Sequence, residues 1–421
     1  MNIYQSKLLT WIFLISVFLT TQTQLRIAGY ISIPEIILVF LVVYFFIQSL
    51  FFRRIKLDEL SKKLIIFWLA IYILLGIGTI SGIQTSGWPS NGFYHNLFAF
   101  LFIGPFTIFL ANILPNKTHE LTTLLYRMSI FILLYSIATF LIWKIVGNSD
   151  ELYFIFQQIQ VNRFTALSKN PNQFALGILV VPFVFLHFLE KQQEKETIYG
   201  LFLISIASYV IISIGFSTLS TAYTLSIYIP LILLLIISSF LKNKRKFFAP
   251  VFLIFSFIFF GSININLSDT KHIQGVQNDS AILEDVNLNQ SLPTDIVKTI
   301  KWKSSYRINT FLNGIEALKI SPIFGFGPGN YSGLERPFSS YESHNTGLDW
   351  ALSSGILGFI FLLLLVARIA RKLISNKHLN LFVLLIAILI FSMFHTIYRH
   401  PLIWFYLIFL MKYGQIKTLK E

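Results

Sequence analysis

Apolar runs of bilayer-spanning length recur along this chain, and they decide most of what it can fold into. Twelve candidate spans can be read, at roughly 8–21, 33–52, 64–82, 93–113, 123–146, 174–189, 198–214, 222–241, 248–261, 346–367, 380–397 and 402–413. A run of about 20 apolar residues is enough to cross a bilayer as a helix. The bilayer core offers no water to unpaired backbone groups, so each run must satisfy its own hydrogen bonds and is predicted helical. A transmembrane barrel would instead alternate polar and apolar residues over strands of about ten. The expected class is an all-α membrane protein of about twelve helices.

Composition agrees. Hydrophobic residues make up 55% of the chain, phenylalanine alone occurs 44 times, and only 12% of residues are charged, against about 25% in globular proteins. The net charge of +14 does not indicate nucleic acid, because the cations sit in short loops between apolar runs. With the N-terminus in the cytoplasm, the cytoplasmic segments hold 20 Lys and Arg. The opposite loops, the longest aside, hold only Arg26, Arg163, Lys169 and Arg399. That asymmetry follows the positive-inside rule and returns both termini to the cytoplasm. The first run, Leu8 to Thr20, has no small-residue cleavage site after it and reads as a retained helix. There are no cysteines, so the redox compartment is not legible.

Three regions follow: helices one to nine over 1–261, an outer loop over 262–345, and helices ten to twelve over 346–421. The first half of the loop is polar. In the second half, Ile308, Phe311, Leu312, Ile315 and Leu318 recur at helical spacing, and Ser321-Pro322 ends the pattern. This predicts an amphipathic helix at the outer surface, followed by a glycine-rich turn. Gly325, Gly327, Gly329 and Gly333 fall within nine residues of that turn. In span ten, Gly347, Ala351 and Gly355 recur every four residues, a pattern that lets helix backbones approach closely in lipid.

The chemistry-bearing residues cluster on the outer side. Arg163 stands before Asn170-Pro171-Asn172, where a turn leads into a helix, and an arginine near a helix N-terminus suits an anion. Arg307 begins the loop helix and could grip diphosphate oxygens in a bidentate way. His344, at the water–membrane boundary, could take a proton from a sugar hydroxyl or donate to a phosphate oxygen. The Gly325–Gly329 turn could cradle phosphate or sugar through its N–H groups. Arg399-His400 occupies the tight turn before the last span and could complete an anion site. For each, a structural alternative exists: interface cation, surface arginine, capping histidine or plain connector. His95 and His395 are isolated and read as core or interface histidines. No spacing suggests a metal site, and His272 has no partner at metal-motif spacing.

Together, RFTALSKNPNQFA at 163–175, YRINTFLNGIEALKISPIFGFGPGNYSG at 306–333 and HNTGLDWALSSGILG at 344–358 resemble the O-antigen ligase and O-antigen polymerase (Wzy/WaaL-like) superfamily. The twelve-helix plan and the large loop between helices nine and ten fit it as well. The resemblance implies a GT-C-like, metal-independent glycosyltransferase without a cofactor, in a bacterial inner membrane with its active site on the periplasmic face. Its implied partners are an undecaprenyl-diphosphate-linked glycan, an acceptor glycan or lipid A–core, membrane lipids and a chain-length regulator. It implies that Arg163 and Arg307 hold the diphosphate and that His344 acts on, or orients, the acceptor hydroxyl, with Asn172, Gly325, Gly327, Asn345, Arg399 and His400 as binding residues. The chain departs from the pattern at GFSTLSTAY (215–223), which lacks an arginine, and at Ser353, where many members carry glutamate. Arg399 is a candidate for the missing positive charge.

The leading reading is a polymerase of lipid-linked repeat units, and the ligase is the runner-up. A glycan or lipid transporter is the alternative of another class. The near absence of acidic residues from the spans argues against ion coupling.

Overall fold

The computed structural model describes residues 7–22, 26–27, 31–51, 57–86, 91–146, 163–168, 170–192, 198–240, 296–329 and 342–415. The expected ninth span (248–261), the polar first half of the outer loop and residues 330–341 lie outside them. The described chain is helical, apart from a two-residue antiparallel pair, β1 (Arg26–Ile27) and β2 (Ile31–Ser32). In chain order the helices are α1 (Lys7–Leu19), α2 (Ile33–Leu50), α3 (Glu59–Ser86), α4 (Asn91–Ile113), α5 (Thr118–Val146), α6 (Pro171–Ile178), α7 (Val181–Gln192), α8 (Ile198–Phe216) and α9 (Thr221–Phe240). They continue with α10 (Ile296–Ile320), α11 (Thr346–Ser375), α12 (Leu379–Ser392) and α13 (Pro401–Gln415). Among the described residues six stretches are long and apolar enough to cross a membrane: Ile33–Leu50, Glu59–Thr85, Phe93–Ile113, Thr118–Ile145, Pro171–Phe188 and Thr346–Ser375. This is a multi-pass membrane protein.

Local chemistry sets several helix starts. Ser32 caps α2 with its side chain on the Glu35 N–H, and Glu35 reaches back to the Ser32 N–H. Asn170 caps α6, whose first residue is Pro171. The bundle is sorted for lipid rather than for water. On α3, Leu64, Trp68, Ile71 and Leu75 are buried, while Ile66, Leu69, Ile73, Ile77 and Ile80 on the opposite face are exposed. Both faces are apolar because the solvent on the outer face is hydrocarbon.

At the centre three tryptophans from distant segments meet. Trp68 (α3) lies 5.1 Å from Trp404 (α13) and 6.2 Å from Trp350 (α11), ring centre to ring centre. Each indole N–H is satisfied: Trp68 donates to Thr107 Oγ1 (2.7 Å), Trp350 to the Gly358 carbonyl (2.9 Å) and Trp404 to the Tyr398 carbonyl (2.6 Å). Rings of this size bury the largest areas, and their polar edges need partners once they leave water. α13 is buried over nearly all its length, Pro401 to Gly414, so it is a central strut.

Two expected spans differ in detail. The sixth is split into α6 and α7 by a short turn at 179–180. The tenth runs on to Ser375 and is broken at Gly355, where φ is +72° and ψ 177°. The small residues of this helix therefore serve a break, not only close helix packing. A broken helix in a membrane leaves orphan backbone groups that must find partners in protein. Here the glycine-rich turn supplies them. Phe326 N–H donates to the Leu352 carbonyl (2.8 Å), Gly327 N–H to the Ser353 carbonyl (3.0 Å), and Ile356 N–H to the Pro322 carbonyl (2.8 Å). The turn is closed by Gly325 N–H on the Ser321 carbonyl (3.0 Å), and Ser321 meets Ser81 of α3 at 3.0 Å. Glycines make room on all three sides. A Cβ at Gly355 would lie 1.8 Å from the Ile323 carbonyl oxygen, one at Gly82 2.2 Å from that of Phe326, and one at Gly78 2.5 Å from that of Phe324.

Gly355→Ala should therefore cost more than the order of 1–3 kcal/mol of a strained backbone alone, since the clash is with backbone. The expected result is a clear drop in the melting temperature of detergent-solubilised protein. Gly76→Ala on α3, where a Cβ meets nothing within 4 Å, should leave it unchanged.

Candidate functional site

The site grows from the start of α11. Asn345 caps this helix, its Oδ1 accepting the Leu348 N–H (3.0 Å) while its Nδ2 donates to the Met393 carbonyl (3.1 Å). Thr346 Oγ1 donates to the His395 carbonyl (2.6 Å) and accepts the Ile397 N–H (2.9 Å). Asp349, fully buried in the first helical turn, accepts the Ser343 N–H (2.9 Å) and the Thr396 hydroxyl. A carboxylate there also suits the positive end of the helix dipole. These three side chains clamp residues 342–349 to the turn 393–400, which joins α12 to α13.

Around that clamp, charged groups from four separate segments act on one another. His344 is held at φ +57°, a left-handed conformation that costs a non-glycine residue on the order of 1–3 kcal/mol and is often found at functional sites. The charges of Glu342, Arg307 and Arg399 all act on its ring. Arg399 forms an ion pair with Glu342 and donates to Asn96 Oδ1 (3.2 Å), which Tyr398 also reaches. Arg307, exposed on α10, acts on both His344 and His395, and His395 also senses His344, Arg163 and His400. Arg163 donates through Nε to the Thr218 carbonyl (2.7 Å), and Phe164 N–H to that of Ser217 (2.9 Å). Arg163 is thus anchored on the turn between α8 and α9 rather than on the start of α6. The GFSTLSTAY segment lies against Arg163.

The other sequence candidates are placed differently. Asn172 lies in the first turn of α6, its N–H given to the Asn170 side chain (2.9 Å). Gly325 and Gly327 are buried in the plug of the broken helix, with their N–H groups on protein carbonyls. The side chain of Asn345 is engaged in the cap and clamp. Sequence reasoning missed Asp349 and His395. Asp349 could have been found as an acid in the turn after an Asn cap, whereas no local signal marks His395. Among the described residues no three His, Asp or Glu side chains are grouped to hold a metal ion.

Guanidiniums and imidazoles dominate the electrostatics: of the two carboxylates, Glu342 is paired with Arg399 and Asp349 is buried under hydrogen bonds from Ser343 and Thr396. Such a grouping of charge suits an anion carrying two or more charges. Burial lowers the His344 pKa below its ordinary 6.5; Glu342 opposes the fall and Arg307 and Arg399 add to it. The ring is therefore neutral at pH 7. In the unfolded chain it would take up a proton near pH 6.5, so its contribution to stability is complete above that pH and shrinks as pH falls. The melting temperature should decline on acidification below about pH 6.5, and the decline should be smaller in His344→Gln, read by thermal unfolding across pH.

A search of curated proteins found no match. Residues 206–363, from α8 through the first half of α11, match the family model described as O-antigen ligase. This segment contains Arg307, the plug of the broken helix, His344 and Asn345. Together with the apolar helices, the match supports placing the chain in an O-antigen ligase/polymerase-like family.

Proposed function

We propose that this protein is a glycosyltransferase that takes a glycan from undecaprenyl diphosphate at the periplasmic face of a bacterial inner membrane and adds it to another carrier-linked glycan. It would thereby polymerise repeat units of O-antigen, capsule or exopolysaccharide. The observation that carries the reading is the clamp at the start of α11, which ties the segment of His344 to that of Arg399, with the charge of Arg307 acting on His344 and those of Arg307 and Arg163 on His395. The positive-inside pattern supports an orientation with this end of the molecule outside and both termini in the cytoplasm. Twelve spans in a GT-C-like arrangement are consistent with the six long apolar stretches and the shorter apolar helices Thr10–Leu19, Ile204–Phe216, Thr221–Ile237 and Leu379–Ser392.

In this reading Arg163 and Arg307 hold the diphosphate, and Arg399, tempered by Glu342, adds positive field. The acceptor hydroxyl oxygen bonds to the anomeric carbon, and the carbon–oxygen bond to diphosphate breaks. His344, neutral before the step, takes the hydroxyl proton, and undecaprenyl diphosphate leaves with the bonding electron pair. A diphosphate whose charge is already held is a good leaving group, so positioning and electrostatics supply most of the acceleration. The second reading is a ligase that transfers the glycan to lipid A–core; the description of the matching family model favours it.

Glycan profiling of a strain lacking the protein separates the two. A single repeat unit on lipid A–core without a ladder means polymerase. Bare core with carrier-linked polymer accumulating means ligase. Unchanged O-antigen, capsule and exopolysaccharide would contradict both. On complementation, Arg307→Ala should be more damaging than His344→Gln, because charge stabilisation outweighs base catalysis here. Equal loss, or the reverse order at equal protein level, would contradict that ranking.

A further inference from the structure

The proposed chemistry leaves one group at the centre of the site unused. His395 lies beyond the end of α12, in the turn 393–400 that the clamp holds. Its ring packs 5.0 Å from that of Phe391, at 35°. Its backbone carbonyl accepts the Thr346 hydroxyl at 2.6 Å, which ties its backbone to the start of α11. Its Nε2 is buried and meets no hydrogen-bond partner among the described residues. Arg307, His344, Arg163 and His400 surround it electrostatically.

A buried polar nitrogen without a partner costs free energy and calls for an explanation. Burial, and after it the guanidiniums of Arg307 and Arg163, hold the imidazole in its neutral form. Only a neutral imidazole offers a lone pair in that company, because guanidiniums and protonated imidazoles can only donate. The arginines suit anionic oxygens, and with the ring proton on Nδ1 the Nε2 lone pair suits a group that donates. On a sugar held beside a diphosphate, that group is a hydroxyl.

We propose that His395 Nε2 accepts a hydrogen bond from a hydroxyl of the bound sugar, other than the attacking one that His344 deprotonates, and so orients and selects that sugar. In this role the ring carries its proton on Nδ1. The inference rests on the glycosyl-transfer reading. A site built to pair with a hydroxyl discriminates strongly against sugars that lack it.

The test compares His395→Gln and His395→Phe in complemented cells, with Arg307→Ala alongside. Surface glycan output is read per unit of folded protein, folding being checked by melting temperature. Gln carries an acceptor oxygen near the position of Nε2, whereas Phe keeps the ring that packs on Phe391. The expected result is a fall of ~10-fold or more for Phe, the scale of one lost hydrogen bond in a site, and output within ~3-fold of the parent for Gln. Binding of undecaprenyl diphosphate, which has no sugar, to purified His395→Phe should be unchanged. Full output from Phe, equal loss in both variants, or the reverse order with Gln inactive and Phe active, would overturn the proposal. Loss of undecaprenyl diphosphate binding in Phe would overturn it too, since the contact would then be to phosphate. If Phe keeps full output while Arg307→Ala loses it, only the His395 inference falls; if both keep it, the glycosyl-transfer reading falls as well.

Discussion

The break in α11 at Gly355 is the constraint from which the placement of α10 and its arginine follows. A helix interrupted inside a membrane exposes carbonyls and N–H groups that water cannot reach, so another backbone must come to them. The turn at 322–327 does so, with three hydrogen bonds across the break. Because it must lie against bare backbone, it can carry no side chains at Gly325 and Gly327, and α3 must be bare at Gly78 and Gly82. The end of α10 is thereby fixed to α3 and α11, and α10 carries Arg307. The strain and the glycines at one point thus position a charged group at another.

The second layer of organisation is the clamp between the start of α11 and the turn 393–400. Asn345, Thr346 and Asp349 each use a side chain to hold backbone or hydroxyl groups of that turn or of the approach to α11. The arrangement is over-determined, which is what keeps His344 in an unfavourable backbone conformation. The result is a cationic surface with two neutral imidazoles set in it. Cations suit a charged leaving group, and neutral imidazoles suit hydroxyls. That division of labour is the physical content of the glycosyl-transfer reading.

Much of the scaffold was legible in sequence because apolar periodicity in a membrane chain is a local signal. Helices α2, α4, α8 and α9 begin and end within a few residues of the expected spans, and α10 ends where Ser321-Pro322 says it should. What was not legible depends on contacts between distant segments. Gly355 looked like one more small residue in a packing stripe, since nothing near it reveals that residues 322–327 enter the break. The glycines of the turn looked like a ligand cradle for the same reason: their N–H groups are satisfied by a helix that follows later in the chain. His395 sits at the end of an apolar run beside Phe391, and only the folded chain brings Arg163, Arg307 and His344 around it. The arginines and His344 were singled out by residue chemistry together with resemblance, and their grouping emerges only in three dimensions.

The central claim is that this cationic end of the bundle holds the diphosphate of a lipid-linked glycan. Titrating the purified protein in lipid nanodiscs with undecaprenyl diphosphate tests it most directly. The account predicts saturable binding that is lost in an Arg163→Ala/Arg307→Ala variant whose melting temperature is retained. Binding that is equally tight in that variant would contradict it.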